Sequence, residues 1–449
     1  PYEKYKTEVL DRLDENERIG DNSFQVPPIY HDSPEMRKQL ARVYNSLKLT
    51  DKKVGELLAR LEKDHLRDST IIFFYSDHGE GLPRGKTNGI TFGYRCAFSI
   101  WFPPMYRHLS PWGEAGMVTD ELIDFEDLAP TMISLANGTV PAYMKGRILI
   151  GPNRSKPVPF IELSSDRSDN GIDMIRSITD GRFMYSRNYM PFMPEERYIN
   201  YMEISDIKKQ IRNDQAAKKL NAFQKSLLAP REPEFLFDTE TDPWEMVNLT
   251  ARPECKTKLT QMRQRLDSAI MASRDVMFLP EYELAGVAKI FIPYDFRLSD
   301  TLYPLKDIYK VASLSGFRSK EITAKQIAFL RDKNKIVSYW AALGLRSQSY
   351  DVLLPYKNKI LSKINDDYLP VAVTTSAIAF DLFGDRKAEE NLKKWLSDPN
   401  PYIALMTVNY LIYVKNKFPF ADLIKQKNNG DANYMVKWAY DDFLFSLTR

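Results

Sequence analysis

Ser76-Asp77-His78-Gly79 ends an apolar run, Ile71 to Tyr75, and leads into a polar segment, Glu80 to Asn88, that carries Arg84 and Lys86. A carboxylate and an imidazole side by side can hold a metal ion, and Lys86 follows within reach of the same point. A cation and a lysine together are what an anionic sulfuryl or phosphoryl group needs, because both stabilise negative charge where it develops. On a regular strand adjacent side chains point to opposite faces. The pair can therefore converge only where the backbone turns at the strand end. The four residues alone also fit a polar turn in which Ser76 or Asp77 caps a helix. Two features favour the ligand reading: the buried type of strand that delivers the pair, and the positive charge of Arg84 and Lys86 in the same loop.

The elements that must position this point follow from patterning. Ile71–Tyr75 is short, β-rich and apolar on both alternating faces, which predicts a strand covered on both sides, as in the parallel sheet of an α/β domain. In such sheets the ligand crevice lies beyond the carboxyl ends of the strands, where Asp77 and His78 stand. Upstream, residues 1–32 read as an extended loop. Pro34 after Asp32-Ser33 is then a helix start. Met36, Leu40, Val43, Leu47, Val54, Leu57, Leu58 and Leu61 recur at helical spacing, predicting a long helix with one apolar stripe to lay on a sheet and a bend near Thr50-Asp51. A second strand is expected over Ala97–Phe102, stopped by Pro103-Pro104. Leu122–Leu135 reads as helical with a kink at its internal proline.

From Val158 the pattern changes to separated short strands, Pro159–Leu163, Met174–Ile178, Phe183–Arg187 and Phe235–Phe237. A helical insertion over 204–228 interrupts them, and a helix over Lys256–Arg274 closes a small antiparallel α+β unit. Its loop Ser165-Asp166-Arg167-Ser168-Asp169-Asn170 is densely polar. That loop is either simply solvated or a saccharide-recognition loop, since Asp166, Arg167 and Asp169 can hydrogen-bond hydroxyls, carboxylate or sulfate, with Arg176 and Arg187 in support. Beyond about residue 300 strand signals vanish. Val337–Leu345, Val371–Phe380 and Ile403–Leu411 repeat one helical pattern at roughly 32–35 residues, which looks like degenerate HEAT-type repeats. Stacked helix pairs of this kind make binding surfaces or spacers. A spacer role implies that removing residues 300–449 leaves hydrolysis of small substrates intact.

Composition bounds the rest. A chain of 449 residues is long enough for two or three domains, and 43% apolar with 27% charged residues is a globular balance. A net charge of +3 requires neither nucleic acid nor an acidic membrane as partner. Cys96 and Cys255 cannot build a disulfide framework, and no stretch approaches the ~20 apolar residues of a membrane span.

Ser76-Asp77-His78-Gly79 with Gly85-Lys86-Thr87-Asn88 resembles the second metal-ligand segment of the type I sulfatases in the alkaline phosphatase superfamily, most of all the heparan N-sulfatase (sulfamidase-like) branch. The likeness extends to Asp32-Ser33-Pro34-Glu35, Tyr106-Arg107-His108-Leu109, Asp127-Leu128-Ala129-Pro130-Thr131, Arg176 and Tyr185-Ser186-Arg187-Asn188-Tyr189. It continues through Leu236-Phe237-Asp238, Asp242-Pro243-Trp244-Glu245 and Asn248-Leu249 to Phe278-Leu279-Pro280-Glu281, so it covers roughly residues 20–285. The resemblance implies part of an alkaline-phosphatase-like α/β sandwich over 1–157. A small α+β subdomain would follow over 158–285, then an all-α HEAT-like domain over 286–449.

It further implies that Asp77 and His78 hold a divalent metal, usually calcium in these enzymes, although imidazole suits transition metals better than Ca²⁺ and leaves the ion open. Lys86 would contact the sulfate or the bridging atom of the leaving group, with Arg84, Asp166, Arg167, Asp169 and Arg176 around the substrate. The implied reaction is hydrolysis of an N- or O-linked sulfate from a sulfated sugar of the heparan type, in the periplasm or outside the cell. One departure is large. The family's nucleophile is a formylglycine made from a C/S-x-P-x-R motif, and that motif is absent: Ala97-Phe98-Ser99 follows Cys96 and Lys256-Thr257-Lys258 follows Cys255. The family's paired aspartates and upstream histidine are missing too. The expectation is a C-terminal part whose missing N-terminal half supplies the nucleophile upstream. A phosphodiesterase or phosphonate hydrolase of the same superfamily, or a non-catalytic fragment that binds a partner or glycan on its helical repeats, are the alternatives.

Overall fold

The computed structural model describes residues 12–430 and 432–447, so the first eleven residues of the expected N-terminal loop lie outside the described residues. Helix α1 (Pro34–Lys63) starts where its signals stand. Ser33 Oγ accepts a hydrogen bond from the Met36 amide at 3.1 Å, and Pro34 occupies the first turn, where its missing N–H is no loss. The helix runs unbroken through Thr50-Asp51. Its stripe is covered only at the start, where Met36 and Leu40 pack with Ile29, Tyr30, Ile207 and Ile211. Leu47, Leu57 and Leu58 remain exposed.

Strand β1 (Ile72–Tyr75) pairs antiparallel with β2 (Phe98–Trp101), Ile72 opposite Trp101 and Tyr75 opposite Phe98. The expected parallel strand, covered on both faces, is thereby corrected: among the described residues the sheet has two strands, paired antiparallel, and Phe74 and Tyr75 are exposed. An apolar run marks a strand but carries no information about the direction of its neighbour. Leu122–Asp124 lies outside any helix, and Phe125–Asp127 forms a 3-10 turn that leads into α2 (Leu128–Leu135). Pro130 falls in the first turn of α2 and does not kink it.

The second sheet is an antiparallel succession of β3 (Ile161–Ser165), β4 (Ile175–Thr179), β5 (Phe183–Asn188) and β6 (Glu234–Asp238), in that order. The insertion between β5 and β6 contains α3 (Asp206–Ala216) between the short helices Asn200–Glu203 and Ala222–Ser226. Alternation along β6 assigns its two faces. Leu236 joins Leu259, Met262, Leu266 and Ile270 of α4 (Lys256–Ser273) in the main core, while Phe235 and Phe237 meet Ile90 on the other side. That second contact seats the loop after β1 on the sheet. Gly89 O accepts from Ser177 Oγ at 2.9 Å, and a Cβ on Gly89 would lie 2.3 Å from Ile175 Cγ2.

The remainder is helical: α5 (Leu305–Ala312), α6 (Lys320–Phe329), α7 (Lys335–Leu345), α8 (Leu369–Phe383), α9 (Arg386–Trp395), α10 (Pro401–Ile412), α11 (Phe418–Asn428) and α12 (Tyr434–Ser446). The three repeated segments form α7, α8 and α10. Each is apolar almost all round and buried, as such a helix must be. They pack in succession, with α12 against α10 and α6, α9 and α11 alongside. The main core does not stop at the expected 285/286 division. It runs from Ile178 and Tyr185 of the sheet through α4 and Phe278 to Trp340, Phe380, Tyr410 and Phe443. Trp340 Nε1 donates to Phe278 O at 2.8 Å across that division. The sheet and the helices thus share one core.

Candidate metal and anion site

β1 ends by turning at Asp77, Ser76 N still donating to Ala97 O of the β2 side at 3.1 Å. The turn brings Asp77 Oδ1 to 3.5 Å from His78 Nε2, with the Asp77 side chain 87% and the His78 side chain 34% exposed. His78 Nδ1 stands 2.9 Å from Gly79 O. A carbonyl only accepts, so Nδ1 donates to it, which leaves Nε2 facing Asp77. Two electron-rich groups then face one gap that a cation would fill, and the second ring nitrogen is oriented by a backbone carbonyl, as metal-ligating histidines require. The residues fit a divalent ion as two donors. Among the described residues no group of three or more His, Cys, Asp or Glu is arranged to hold one.

The loop that follows is folded tightly enough to fix Lys86. Gly79 N donates to Gly93 O at 3.0 Å, Glu80 N to Phe92 O at 2.9 Å and Lys86 N to Glu80 O at 2.7 Å. Gly85 must be glycine here, since a Cβ would lie 2.1 Å from Glu80 O. Arg84 (φ 71°) and Thr87 (φ 79°) adopt left-handed backbone although neither is glycine. Such conformations persist where surrounding contacts over-determine them, and they cluster at functional sites. For Thr87 the contacts are Ser165 Oγ at 2.9 Å and Arg197 Nη2 at 2.8 Å, both donating to its carbonyl. Lys86 itself stands half-buried with its ammonium 5.7 Å from the centre of the Tyr201 ring.

Arg84 is placed elsewhere, and its expected contact with substrate is corrected. Its side chain is 1% exposed and bridges to Glu195 at 3.2 Å. Its two terminal nitrogens donate to the carbonyls of Trp244 and Glu245. Glu245 in turn accepts from the amides of Thr91 and Phe92 at 2.9 and 3.0 Å. Arg84 therefore clamps the loop from inside the fold, with each of its three nitrogens already donating to a protein partner. Arg176, 2% exposed, is likewise committed, lying 3.0 Å from Asp166 and close against Asp275. Burial opposes its charge, but the Asp166 and Asp275 carboxylates outweigh that and hold its proton more firmly than usual. Arg187 donates to the carbonyls of Asn188, Pro233, Ser313 and Ser315 and holds the sheet to the helical portion.

Arg167 pairs with Glu281 at 2.8 Å, and Asp166 and Arg167 line a cavity of about 60 Å³ with Glu281, Tyr282, Tyr339 and Tyr402. Asp169, with φ 46°, sits at the tip of a tight turn in which Ser168 and Gly171 exchange backbone hydrogen bonds. Tyr201 joins this turn to the loop after β1: its ring lies under Lys86, and its hydroxyl faces Ser168 and Asp169. Tyr201 thus links Lys86 to the turn that carries Ser168 and Asp169. The structure sets Arg84 and Arg176 apart as internal clamps. Sequence patterning misses Tyr201, Asn409 and Asp442, which carry no local signal; it sees Asn170 only as a member of a polar loop and Glu245 only within the family likeness. Burial and Asp77 push the Cys96 thiol up, which does not favour the thiolate a nucleophile needs.

The sulfatase family model, described as Sulfatase, matches residues 1–139, the part that holds Asp77, His78 and Lys86. A segment of 265 residues is 35% identical to an ulvan-active sulfatase of Formosa agariphila, covering 59% of this chain and 43% of that one. The N-sulphoglucosamine sulphohydrolase of Homo sapiens is 24% identical over 258 residues, or 54% of this chain and 49% of that enzyme. The chain spans about half the length of these curated relatives. A crystal structure from Bacteroides thetaiotaomicron of a protein assigned to the sulfatases aligns at a TM-score of 0.40 and 19% identity, covering 55% of this chain and 46% of that one.

Proposed function

We propose that this sulfatase-related chain supplies the anion-binding side of a sulfatase active site and hydrolyses a sulfated saccharide together with a segment that brings the nucleophile. The observation that carries this reading is one loop, inside the matched region, that presents Asp77 and His78 across a 3.5 Å gap with Lys86 held eight to nine residues on. A divalent cation bound by Asp77 and His78, calcium by analogy with the family, would withdraw charge from a sulfate oxygen. Lys86 is placed to neutralise charge on the sulfate or on the atom linking it to the sugar. The Tyr201 ring beneath the ammonium keeps it from collapsing onto a carboxylate. Ser168 and Asp169 offer a hydroxyl and a carboxylate to sugar hydroxyls beside it. No residue of the chain lies in a C/S-x-P-x-R context. Formylglycine therefore does not fit here, and no step through it is assigned to this chain.

The substrate class that fits best is a heparan-type saccharide carrying N-sulfoglucosamine. It rests on the motif likeness and on the similarity to the human sulphohydrolase. Stacked helices of HEAT type and export to the periplasm or beyond the cell belong to the same proposal. Among the described residues no helix is long and apolar enough to cross a membrane.

The test is sulfate release from N-sulfoglucosamine by this chain assembled with its nucleophile-bearing segment, alongside metal analysis. Asp77→Ala should lose bound metal and nearly all turnover, whereas Lys86→Ala should keep the metal and lose turnover. Full turnover in Asp77→Ala ends the assignment. This chain by itself should release no sulfate, and turnover without the second segment would show that the nucleophile has been misplaced.

A further inference from the structure

The turn Ser168–Gly171, which Tyr201 links to Lys86, is not held by its own sheet alone. Its central side chain, Asn170, is fully buried, and both its amide oxygen and its amide nitrogen have partners. Asn170 Oδ1 accepts from the Asn200 amide at 3.0 Å, and Asn170 Nδ2 donates to Asp442 Oδ2 of α12 at 2.7 Å. The Asn170 carbonyl accepts from Asn409 Nδ2 of α10 at 2.7 Å, while Asn409 Oδ1 accepts from the Ile172 amide at 3.3 Å. Asn409 thus spans the backbone on both sides of Gly171. Gly171 is pressed against the 198–199 backbone, where a Cβ would lie 2.9 Å from Tyr198 O. Asp169 holds a left-handed conformation that a free loop would leave.

We propose that Asn409 and Asp442, from the last third of the chain, are positioning residues for saccharide recognition: through Asn170 they lock the Ser168–Gly171 turn against Tyr201 and Lys86. This rests on the reading of that turn as the saccharide contact. Neither residue touches the ligand. Each removes freedom that the turn would otherwise have to lose on binding, which is how preorganisation raises affinity. Asp442 is suited to the task because burial among Asn170, Glu203 and Arg212 leaves its carboxyl one oriented donor, Asn170. Asn409 adds a second lock by also bonding Leu405 O at 3.0 Å inside its own helix, which fixes its amide.

Hydrogen exchange at the Ser168 and Gly171 amides reads the lock, and calorimetric titration with an N-sulfated heparan disaccharide reads its effect. Loss of one buried hydrogen bond corresponds to roughly tenfold in a local opening equilibrium. Asp442→Ala should therefore exchange these two amides about tenfold faster and bind the disaccharide about tenfold more weakly. Asp442→Asn keeps an oxygen acceptor for Asn170 and should restore both. Asn170→Ala cuts the same bond from the turn side and serves if Asp442→Ala fails to fold. Unchanged exchange in Asp442→Ala and Asn170→Ala overturns the lock. Faster exchange in a chain whose unaltered form takes up no disaccharide overturns the saccharide reading and leaves the lock standing. Faster exchange with unaltered disaccharide affinity refutes the positioning role.

Discussion

Lys86 and Asp442 show what a single residue discloses in sequence and what it hides. Asp77, His78 and Lys86 are legible because they are close in the chain, and a strand followed by a tight loop leaves few ways to arrange them. Arg84 is legible as a charge but not as a clamp, since nothing local tells that its partners are the Trp244 and Glu245 carbonyls, 160 and 161 residues away. Asp442 is silent in sequence and distinctive in space. Burial first, then Glu203 and Asp441, push its carboxyl up to about 8, against the pull of Asn170 and Arg212. The folded chain therefore keeps a proton that the unfolded chain releases near 3.9. Between those values the native state binds more protons, so this residue's contribution to stability is full below about pH 4 and is lost as pH rises to about 8. The melting temperature of the unaltered chain should fall relative to Asp442→Asn between about pH 5 and pH 8, then run parallel to it. Parallel curves throughout would mean that the carboxyl ionises freely in the fold.

At the scale of elements, alternation identifies strands and helical spacing identifies helices, but neither reports partners. The four strands of the second sheet stand within a residue or two of their expected places because turn residues bracket short β-branched and aromatic runs. The direction of β1 escaped because its neighbour is reached only through the 22-residue excursion from Ser76 to Ala97. That excursion is held by Arg84 and Glu245, whose interactions are buried and long-range. Arg84→Met would leave the Glu195 carboxylate and two carbonyls without their donor. Removing one partner of a buried charge pair costs about 3–5 kcal/mol, and urea unfolding of the variant should show a loss of that size. A loss below about 1 kcal/mol would place the clamp on the surface class of ion pairs. Glu245→Gln should cost less, because the amide oxygen still accepts one of the Thr91 and Phe92 amides.

For the whole molecule the sequence separates a strand-rich part from a helix-rich part, and that contrast invites a boundary near residue 285. Packing removes it. Tyr189 on the sheet side stacks edge-on against Phe278 and Trp340 with ring centres 5.1 and 5.9 Å apart. Leu236, Phe278, Trp340 and Tyr410 then belong to one continuous core. A change in secondary-structure type marks a change in local pattern, whereas a domain boundary is a gap in contacts, and patterning sees only the first. Excising residues 300–449 would strip one wall from this core and release Asn170 and Arg187 from Asn409, Asp442, Ser313 and Ser315. Buried apolar surface contributes about 25 cal/mol per Å², and a domain's net stability is only about 5–15 kcal/mol. Loss of an entire wall therefore exceeds what the remainder can spare. The shortened chain should bind a hydrophobic dye and melt without a cooperative transition, while the intact chain should melt its sheet and helices together. A sharp melt of the shortened chain, with the Ser168 and Gly171 amides still protected, would show that the sheet stands alone and that the helices only cover it.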